Sequence, residues 1–412
     1  MDFNDTPEEA AFRAEVRTFL DSVATRKSDP QDSWDKNLKN EAEGIEIAKK
    51  WQHTLHENGW ACLHWPKEYG GRAASQIERV IWDQEEGQYL VPKGFFMIGL
   101  GMAGPTIMTY GNDEQKARHL PTLASSEKIW CQLFSEPVAG SDLAGIRTKS
   151  EKDGDDWIIN GQKIWTSGAH YSDWGILVTR SDATVAKHKG MTYFMVDMKS
   201  PGVEVRPIKQ ITGGSGFNEV FFTDVRIPDS QRLGAVGDGW NVALATLMNE
   251  RVAVGERKGG DVLELIELAK NVNINGKPAI EDGAVRAKLA KWYTEFSGLK
   301  FTRFRSISAM SRGEVPGPEN SIGKLVGAAK SQDMAEFAMM LMDRAGMIND
   351  KEIAPFSAMF QQTFMQSPSG RIAGGTDEIL RNVVAERVLG LPQEPRSDKG
   401  MPYNEIPTGT MK

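Results

Sequence analysis

Cysteine is almost missing: Cys62 and Cys131 are the only two in 412 residues. Two thiols cannot build a disulfide framework. Neither lies in a C-x-x-C pair or near a His/Asp set that would make it a nucleophile, so both read as structural thiols in a reducing compartment. Long apolar runs are missing too. No stretch reaches the roughly 18 residues of a membrane helix, and the acidic start Met1-Asp2-Phe3-Asn4-Asp5 has no signal-peptide core. The expectation is a cytoplasmic protein with no membrane partner. Excess positive charge is absent: 49 basic against 56 acidic residues give a net charge of −7, which leaves no footprint for nucleic acid. The six histidines (53, 56, 64, 119, 170 and 188) form no ligand pattern. They read as surface residues, and no metal is expected.

What is present is an ordinary globular composition, 40% hydrophobic and 25% charged, in a chain long enough for two or three domains. Thr6-Pro7-Glu8-Glu9 reads as a helix start with a capping box, followed by the stripe Phe12, Val16, Phe19 and Val23. Helical patterns run on through Ile45–Leu55, Ile77–Tyr89 and Pro105–Leu120, so residues 1–128 read as all-helical. The texture changes near Ile129. Trp157 to Trp165 reads as a β-hairpin turning at Asn160-Gly161, and strands are expected at Trp174–Thr179, Thr192–Val196, Val203–Pro207 and Glu219–Ile227. Residues 129–236 are thus a β-domain. Helices return over 237–412: one opened by Asp238-Gly239-Trp240, a long one with Val285, Leu289, Trp292, Phe296 and Leu299 on one face, then two more after the Gly313–Asn320 loop, the last closed by Gly390 and Pro392. The fold class is mainly α with a central β-domain.

Several segments bear on chemistry. Gly99-Leu100-Gly101-Met102-Ala103-Gly104 matches the dinucleotide fingerprint G-x-G-x-x-G, but it lies among helices and Pro105 follows at once; close helix packing is the better reading. The loop Ser135–Asp142 has hydroxyls and free amides for an anion or a heterocycle edge, and reads equally as a surface turn. Trp165-Thr166-Ser167 offers a ring to stack on a flat cofactor beside two hydroxyls; a strand-end Trp is otherwise core. Gly374-Gly375-Thr376 precedes a helix and suits either close approach of a ligand or a plain Thr376 cap. Met334, Met339, Met340 and Met342 read as helix core. Finally, Ala245-Thr246-Leu247-Met248-Asn249-Glu250-Arg251-Val252-Ala253-Val254 reads as a helix buried on most sides, yet it carries Glu250. Such a carboxylate is either tied into an ion pair or faces a cavity where a raised pKa is useful.

Together the segments resemble the acyl-CoA dehydrogenase family over nearly the whole chain. "FSEPVAGSD" (134–142), "INGQKIWTSG" (159–168), "FFTDVRIPD" (221–229), "GDGW" (237–240) and "GGTDEILRN" (374–382) stand in that family's order and spacing, with "WPKEYGG" (65–71) and "YGNDEQKARHLP" (110–121) before them. The resemblance implies the three-domain fold: a helical N-terminal domain, a β-barrel or sandwich middle domain and a C-terminal four-helix bundle. It implies FAD, an acyl-CoA substrate, electron-transfer flavoprotein as acceptor, and a homodimer or homotetramer. Gln132, Phe134, Ser135, Trp165, Thr166 and Ser167 match flavin contacts, with Ser167 at the position near N5; Thr376 and Glu378 match FAD contacts at the last helix. Ser141 lies where the CoA chain passes, and Arg251 matches the arginine that follows the base.

Oxidation of a Cα–Cβ bond beside a thioester needs a base for the α-proton, a hydride acceptor and a donor to the thioester oxygen. Most members carry the base immediately before the last "GT"; here that residue is Gly374, whose backbone amide is left as the oxygen donor. A minority, the isovaleryl- and long-chain-type enzymes, place it on the central helix, where Glu250 aligns. Two further departures concern the cofactor. Lys270–Gly276 replaces the Arg-x-x-Phe-Gly that reaches a neighbour's FAD, and the Gln expected around Met340–Gly346 is missing. Acyl-CoA oxidases and flavin monooxygenases share the fold, as does a catalytically silent subunit of a heteromeric dehydrogenase; these alternatives stay open.

Overall fold

Thr6 and Glu9 close a reciprocal cap, as their spacing predicts: Thr6 Oγ1 accepts from Glu9 N at 3.2 Å, and Glu9 Oε2 from Thr6 N at 2.8 Å. The computed structural model describes residues 5–28, 34, 38, 40–253, 262–312, 314, 317–396 and 398–407, without the side chains of 250–253, 310 and 311. The chain divides into one unit of residues 1–208, 215–254 and 396–412 and another of 209–214 and 255–395.

The first unit opens with α1 (Pro7–Val23), β1 (Thr25–Arg26), α2 (Glu41–Glu57), α3 (Gln76–Glu86), β2 (Tyr89–Leu90), α4 (Gly104–Tyr110) and α5 (Asp113–Ala124). The stripe of α1 faces the core as expected at Val16 and, partly buried, at Phe12 and Phe19, with Leu20 joining them; Val23 is exposed. Their neighbours are aromatic. Trp60 stacks on Trp82 at 5.0 Å and on Phe19 at 5.5 Å. The segment is not wholly helical, because Thr25 and Arg26 pair with Leu90 and Tyr89. The helix expected over Pro105–Leu120 is two helices, α4 and α5, broken at Gly111-Asn112, where Asn112 caps α5. The Gly99–Gly104 run is a close packing site: a Cβ on Gly104 would sit 2.2 Å from Trp65 Cζ2. His119 is buried, not a surface residue, with its ring edge-on to Trp130 at 5.3 Å and Trp174 at 4.8 Å.

The β-domain follows: β3 (Trp130–Leu133), β4 (Lys149–Asp153), β5 (Asp156–Ser167), β6 (Trp174–Arg180), β7 (Met191–Asp197), β8 (Val203–Ile208), β9 (Phe217–Pro228) and β10 (Arg232–Leu233). Among the described residues the sheet runs β10-β7-β6-β4-β5-β9-β8, with β3 parallel to β6. One sequence expectation fails here. Asn160-Gly161 is not a hairpin turn but the middle of the single strand β5; the hairpin turns earlier, at Gly154-Asp155 between β4 and β5. The dipeptide faces a bulge in β9. Asn160 Nδ2 donates to Asp224 Oδ1 and Asn160 Oδ1 accepts from Asp224 N, both at 2.9 Å, with Asp224 at φ 48°. Gly161 (φ 152°) has no room for a side chain, since a Cβ would meet Thr148 Cα at 2.6 Å. Helix α6 (Gly239–Ala253) follows the β-domain in the same unit. It is less enclosed than its apolar sequence suggests: Val242, Ala243 and Thr246 are buried, but Leu244 and Met248 are exposed.

The second unit is a helical bundle of α7 (Val262–Asn271), α8 (Gly283–Ser311), α9 (Ser321–Met342), α10 (Met359–Gly370) and α11 (Asp377–Arg387), with a small ladder of β11 (Asn273–Ile274) and β12 (Lys277–Pro278). Its core joins Leu265 and Leu268 of α7, Leu289 and Trp292 of α8, Phe337 and Leu341 of α9, and Phe360 of α10. Three helices follow the 313–320 loop rather than two, because positive φ at Asp343 and again at Phe356, Ser357 and Ala358 interrupts the pattern. Met334 and Met342 are core as expected; Met340 is 68% exposed.

Candidate active site

Strand β3 carries half-buried Gln132 and hands the chain to Phe134 and Ser135. Phe134 is buried with its ring edge-on to Tyr193 at 5.9 Å. The loop is pinned to β5 from two sides. Ile164 N donates to Ser135 O at 2.9 Å, and Lys163 Nζ donates to Phe134 O at 3.0 Å and to Glu136 Oε1 at 2.8 Å. Glu136 also accepts from Arg147 N at 2.6 Å and Thr148 N at 2.9 Å. Both side chains are buried, 0% exposed for Lys163 and 3% for Glu136. Burial opposes ionisation of Glu136, but Lys163 and the two donors outweigh it and hold its pKa below the usual range. Burial likewise pulls the Lys163 ammonium down, against the attraction of Glu136. Sequence reasoning missed this pair. The partners are 27 positions apart, so no local window pairs them.

At the end of β5 the pairing with β9 slips between Lys163 and Thr166. Trp165 takes φ 60°, a backbone rare for an aromatic residue, and its indole stands 57% exposed beside the edge of Phe217. It is not core. Thr166 turns inward; its Oγ1 is buried and has no hydrogen-bond partner among the described residues. Ser167 is exposed just before Gly168. An uncovered ring beside an unsatisfied hydroxyl fits the edge and face of a flat heterocycle with polar atoms.

Ser141 is exposed on the loop between β3 and β4. Lys187 anchors that loop through Asp142 at 2.9 Å and ties it to Asp398 at 2.6 Å. Arg180 donates to Ala144 O and lies 3.9 Å from the centre of the Tyr403 ring, whose hydroxyl donates to Gly145 O at 3.1 Å. The C-terminal residues Asp398 and Tyr403 carried no sequence signal for this role.

Glu250 and Arg251 belong to the last turn of α6, and their side chains lie outside the described residues; so does Val254. Helical spacing places position 250 one turn beyond Thr246 on the same face. Thr246 Oγ1 is 3.0 Å from Tyr193 Oη and 2.9 Å from Thr106 Oγ1. Tyr193 is the residue against Phe134, so this face of α6 leads to the loop at the end of β3.

In the second unit, Gly374 and Gly375 take φ 67° and 91°. A side chain at 374 would be strained, which accounts for a glycine there, and Gly374 N donates to no described residue. Thr376 caps α11, its Oγ1 accepting from Ile379 N at 3.3 Å. Of the two carboxylates that open α11, Asp377 is buried and held by Arg371 at 2.7 Å, and Glu378 is an exposed partner of Arg381 at 3.5 Å. No group of three or more His, Cys, Asp or Glu side chains able to hold a metal ion occurs among the described residues, and no helix there is long and apolar enough to cross a membrane. Two open clefts on the first unit, one along Lys67, Arg72 and Glu78 and one along His56, Tyr69 and Lys116, contain none of the expected site residues.

The described residues thus combine a helical N-terminal part, a β-domain with an uncovered indole and unsatisfied hydroxyl, and a helical bundle with a double-glycine turn. Family models agree domain by domain: acyl-CoA dehydrogenase N-terminal domain over residues 6–127, middle domain over 131–225 and C-terminal domain over 237–389. The chain belongs to the acyl-CoA dehydrogenase family, whose members are FAD-dependent oxidoreductases of acyl-CoA thioesters. It is 37% identical to the acyl-CoA dehydrogenase IpdE1 of Mycobacterium tuberculosis over 93% of this chain and 98% of IpdE1. It is 40% identical to FadE34 of the same organism over 84% of this chain, but spans only 46% of FadE34. Among solved structures it is similar to the Tcur3481-Tcur3483 steroid ACAD, with TM-score 0.78 and 27% identity over 96% of this chain and 100% of that one.

Proposed function

We propose that this protein dehydrogenates a bulky acyl-CoA to its trans-2-enoyl-CoA, with Glu250 as the base. The observation that carries the reading is Trp165, a large ring held outward by a left-handed backbone at the strand end. That geometry presents a face to a flat cofactor at a position where the family binds FAD. Gln132, Phe134, Ser135, Trp165, Thr166 and Ser167 would hold the flavin, with Thr376 and Glu378 as further FAD contacts. When bound, FAD supplies the acceptor for the hydride from the β-carbon. Glu250 receives the α-proton on its carboxylate. The Gly374 N–H donates to the thioester oxygen as that oxygen gains charge, and the role accords with its donating to no described residue. Ser141 and Arg251 contact the substrate.

Similarity to a steroid ACAD supports the bulky acyl group. Electrons pass onward to an electron-transfer flavoprotein, and the working form is a homodimer or homotetramer divided at residues 1–128, 129–236 and 237–412. A cytoplasmic location accords with two buried, unpaired thiols. The test is Glu250→Gln. It is expected to keep FAD and lose turnover by several orders of magnitude, on the order of the 10²–10⁴ or more assigned to a positioned base. Turnover like that of the parent enzyme would remove Glu250 from its role. Flavin bleaching by a panel of acyl-CoAs identifies the acyl group, and preference for short straight chains would overturn the bulky assignment.

A further inference from the structure

Behind Trp165 a polar chain runs from α2 to the end of β5. Asn218, fully buried in β9, donates from Nδ2 to Thr166 O at 2.9 Å and, at longer range, to Gly216 O at 3.5 Å. Both partners are carbonyls, so the amide nitrogen must face them and Oδ1 must point the other way. There Oδ1 lies 3.1 Å from His170 Nδ1. The other ring nitrogen, Nε2, lies 2.7 Å from Glu41 Oε2 in the first turn of α2. An amide oxygen and a carboxylate offer lone pairs only. The His170 ring thus bridges the Asn218 amide oxygen and the Glu41 carboxylate, one ring nitrogen to each. The groups facing the ring are Glu41 from α2, Asn218 from β9 and the neighbouring Tyr171 ring, edge-on at 4.8 Å.

We propose that His170 is a positioning residue whose ring, bridging Glu41 and Asn218, locks the Trp165–Ser167 segment in its cofactor-facing form through Asn218 and Thr166 O. The proposal rests on the reading of that segment as the flavin contact. The physical need is visible in the backbone. Trp165 sits at φ 60° in a bulge, so ladder bonds alone hold it less firmly than a regular strand. The bond from Asn218 to Thr166 O falls on the next residue and opposes relaxation of the bulge. Asn218 is oriented in turn by the His170 ring, which Glu41 holds from its other side. The His170 side chain is 23% exposed and that of Glu41 51%, so the chain runs from the surface inward to the buried Asn218. Sequence reading set His170 aside with the surface histidines.

The test uses the FAD-loaded protein. His170→Ala is expected to weaken FAD binding by about tenfold, the loss of one hydrogen-bonded link, and to shift the visible flavin band toward that of free FAD. Parent-like affinity and spectrum in His170→Ala, alongside weakened FAD binding in Trp165→Ala, would reject His170 while leaving the cofactor segment standing. If Trp165→Ala also binds FAD normally, the reading of the segment falls and the proposal with it.

Discussion

Lys163→Met is the most demanding test of how the loop at the end of β3 is held. The substitution nearly conserves volume at a fully buried site but removes the ammonium that bridges Phe134 O and Glu136. Glu136 is then a 3% exposed carboxylate with two backbone donors, Arg147 N and Thr148 N, and no counter-charge. Breaking one end of a buried pair costs about 3–5 kcal/mol. The two remaining donors place this case at the lower end, about 3 kcal/mol, a large share of a domain stability of roughly 5–15 kcal/mol. Because the chain has two units, a global unfolding midpoint would blur the effect. Hydrogen exchange of the β5 amides, read by mass spectrometry, isolates it, and about 3 kcal/mol corresponds to opening roughly a hundredfold more frequent. Adding Glu136→Gln should recover part of the loss, since no buried charge is then left alone. The two partners respond oppositely to pH. The Glu136 pKa is lower in the folded state, so its contribution is present above about pH 4.3 and lost as pH falls through the folded value. Lys163 is also lowered on folding, so its charge opposes folding until pH rises toward the unfolded value near 10.4. The pair as a whole is thus near break-even, and the cost lies in separating it. Exchange within about threefold of the parent in Lys163→Met would refute this account.

His119, buried between two tryptophans, has its pKa lowered to about 4 by burial and by Arg118. The unfolded state therefore takes up the proton first, and stability should fall as pH drops from about 6.5 to 4, by up to roughly 3 kcal/mol; His119→Phe should flatten that limb in urea melts. Burial pushes both Cys62 and Cys131 up to about 12. Neither is expected to be alkylated by iodoacetamide at pH 8 in the folded protein, and modification seen by mass spectrometry without unfolding would contradict their placement. Gly374→Ala puts a side chain at φ 67°; it should cost about 1 kcal/mol of thermal stability in calorimetry and lower kcat.

Local signals were legible where local chemistry decides. The Thr6–Glu9 cap, the strands from β6 to β9 and the helix opened by Gly239 depend on neighbours within a few positions. The misses depend on distant partners. Glu136 and Lys163 are 27 positions apart, and Tyr403 reaches Gly145 across 258. Asn160-Gly161 carries the same chemistry in a turn and opposite a bulge: a glycine free of side-chain limits and an amide that bonds nearby backbone. What decides between them is Asp224 on β9, and no window around residue 160 contains it.

Trp165 shows the same point at the site itself. Along β5, Trp157, Ile159 and Lys163 are buried at odd positions, so strict alternation would turn Trp165 inward as core. The extra residue between Lys163 and Thr166 flips the parity: Thr166 goes in and Trp165 comes out. An earlier bulge, near Asp224 on β9, adds its extra residue to the opposite strand. The two insertions cancel, so β5 and β9 return to their original register at Thr166 and Asn218 after departing from it for only a few residues. One bulge alone would leave the strand end out of step with Asn218 and cost Thr166 O its donor. The pair of bulges therefore exposes one aromatic ring while leaving the frame around it intact, and that is the property a cofactor-facing strand end requires.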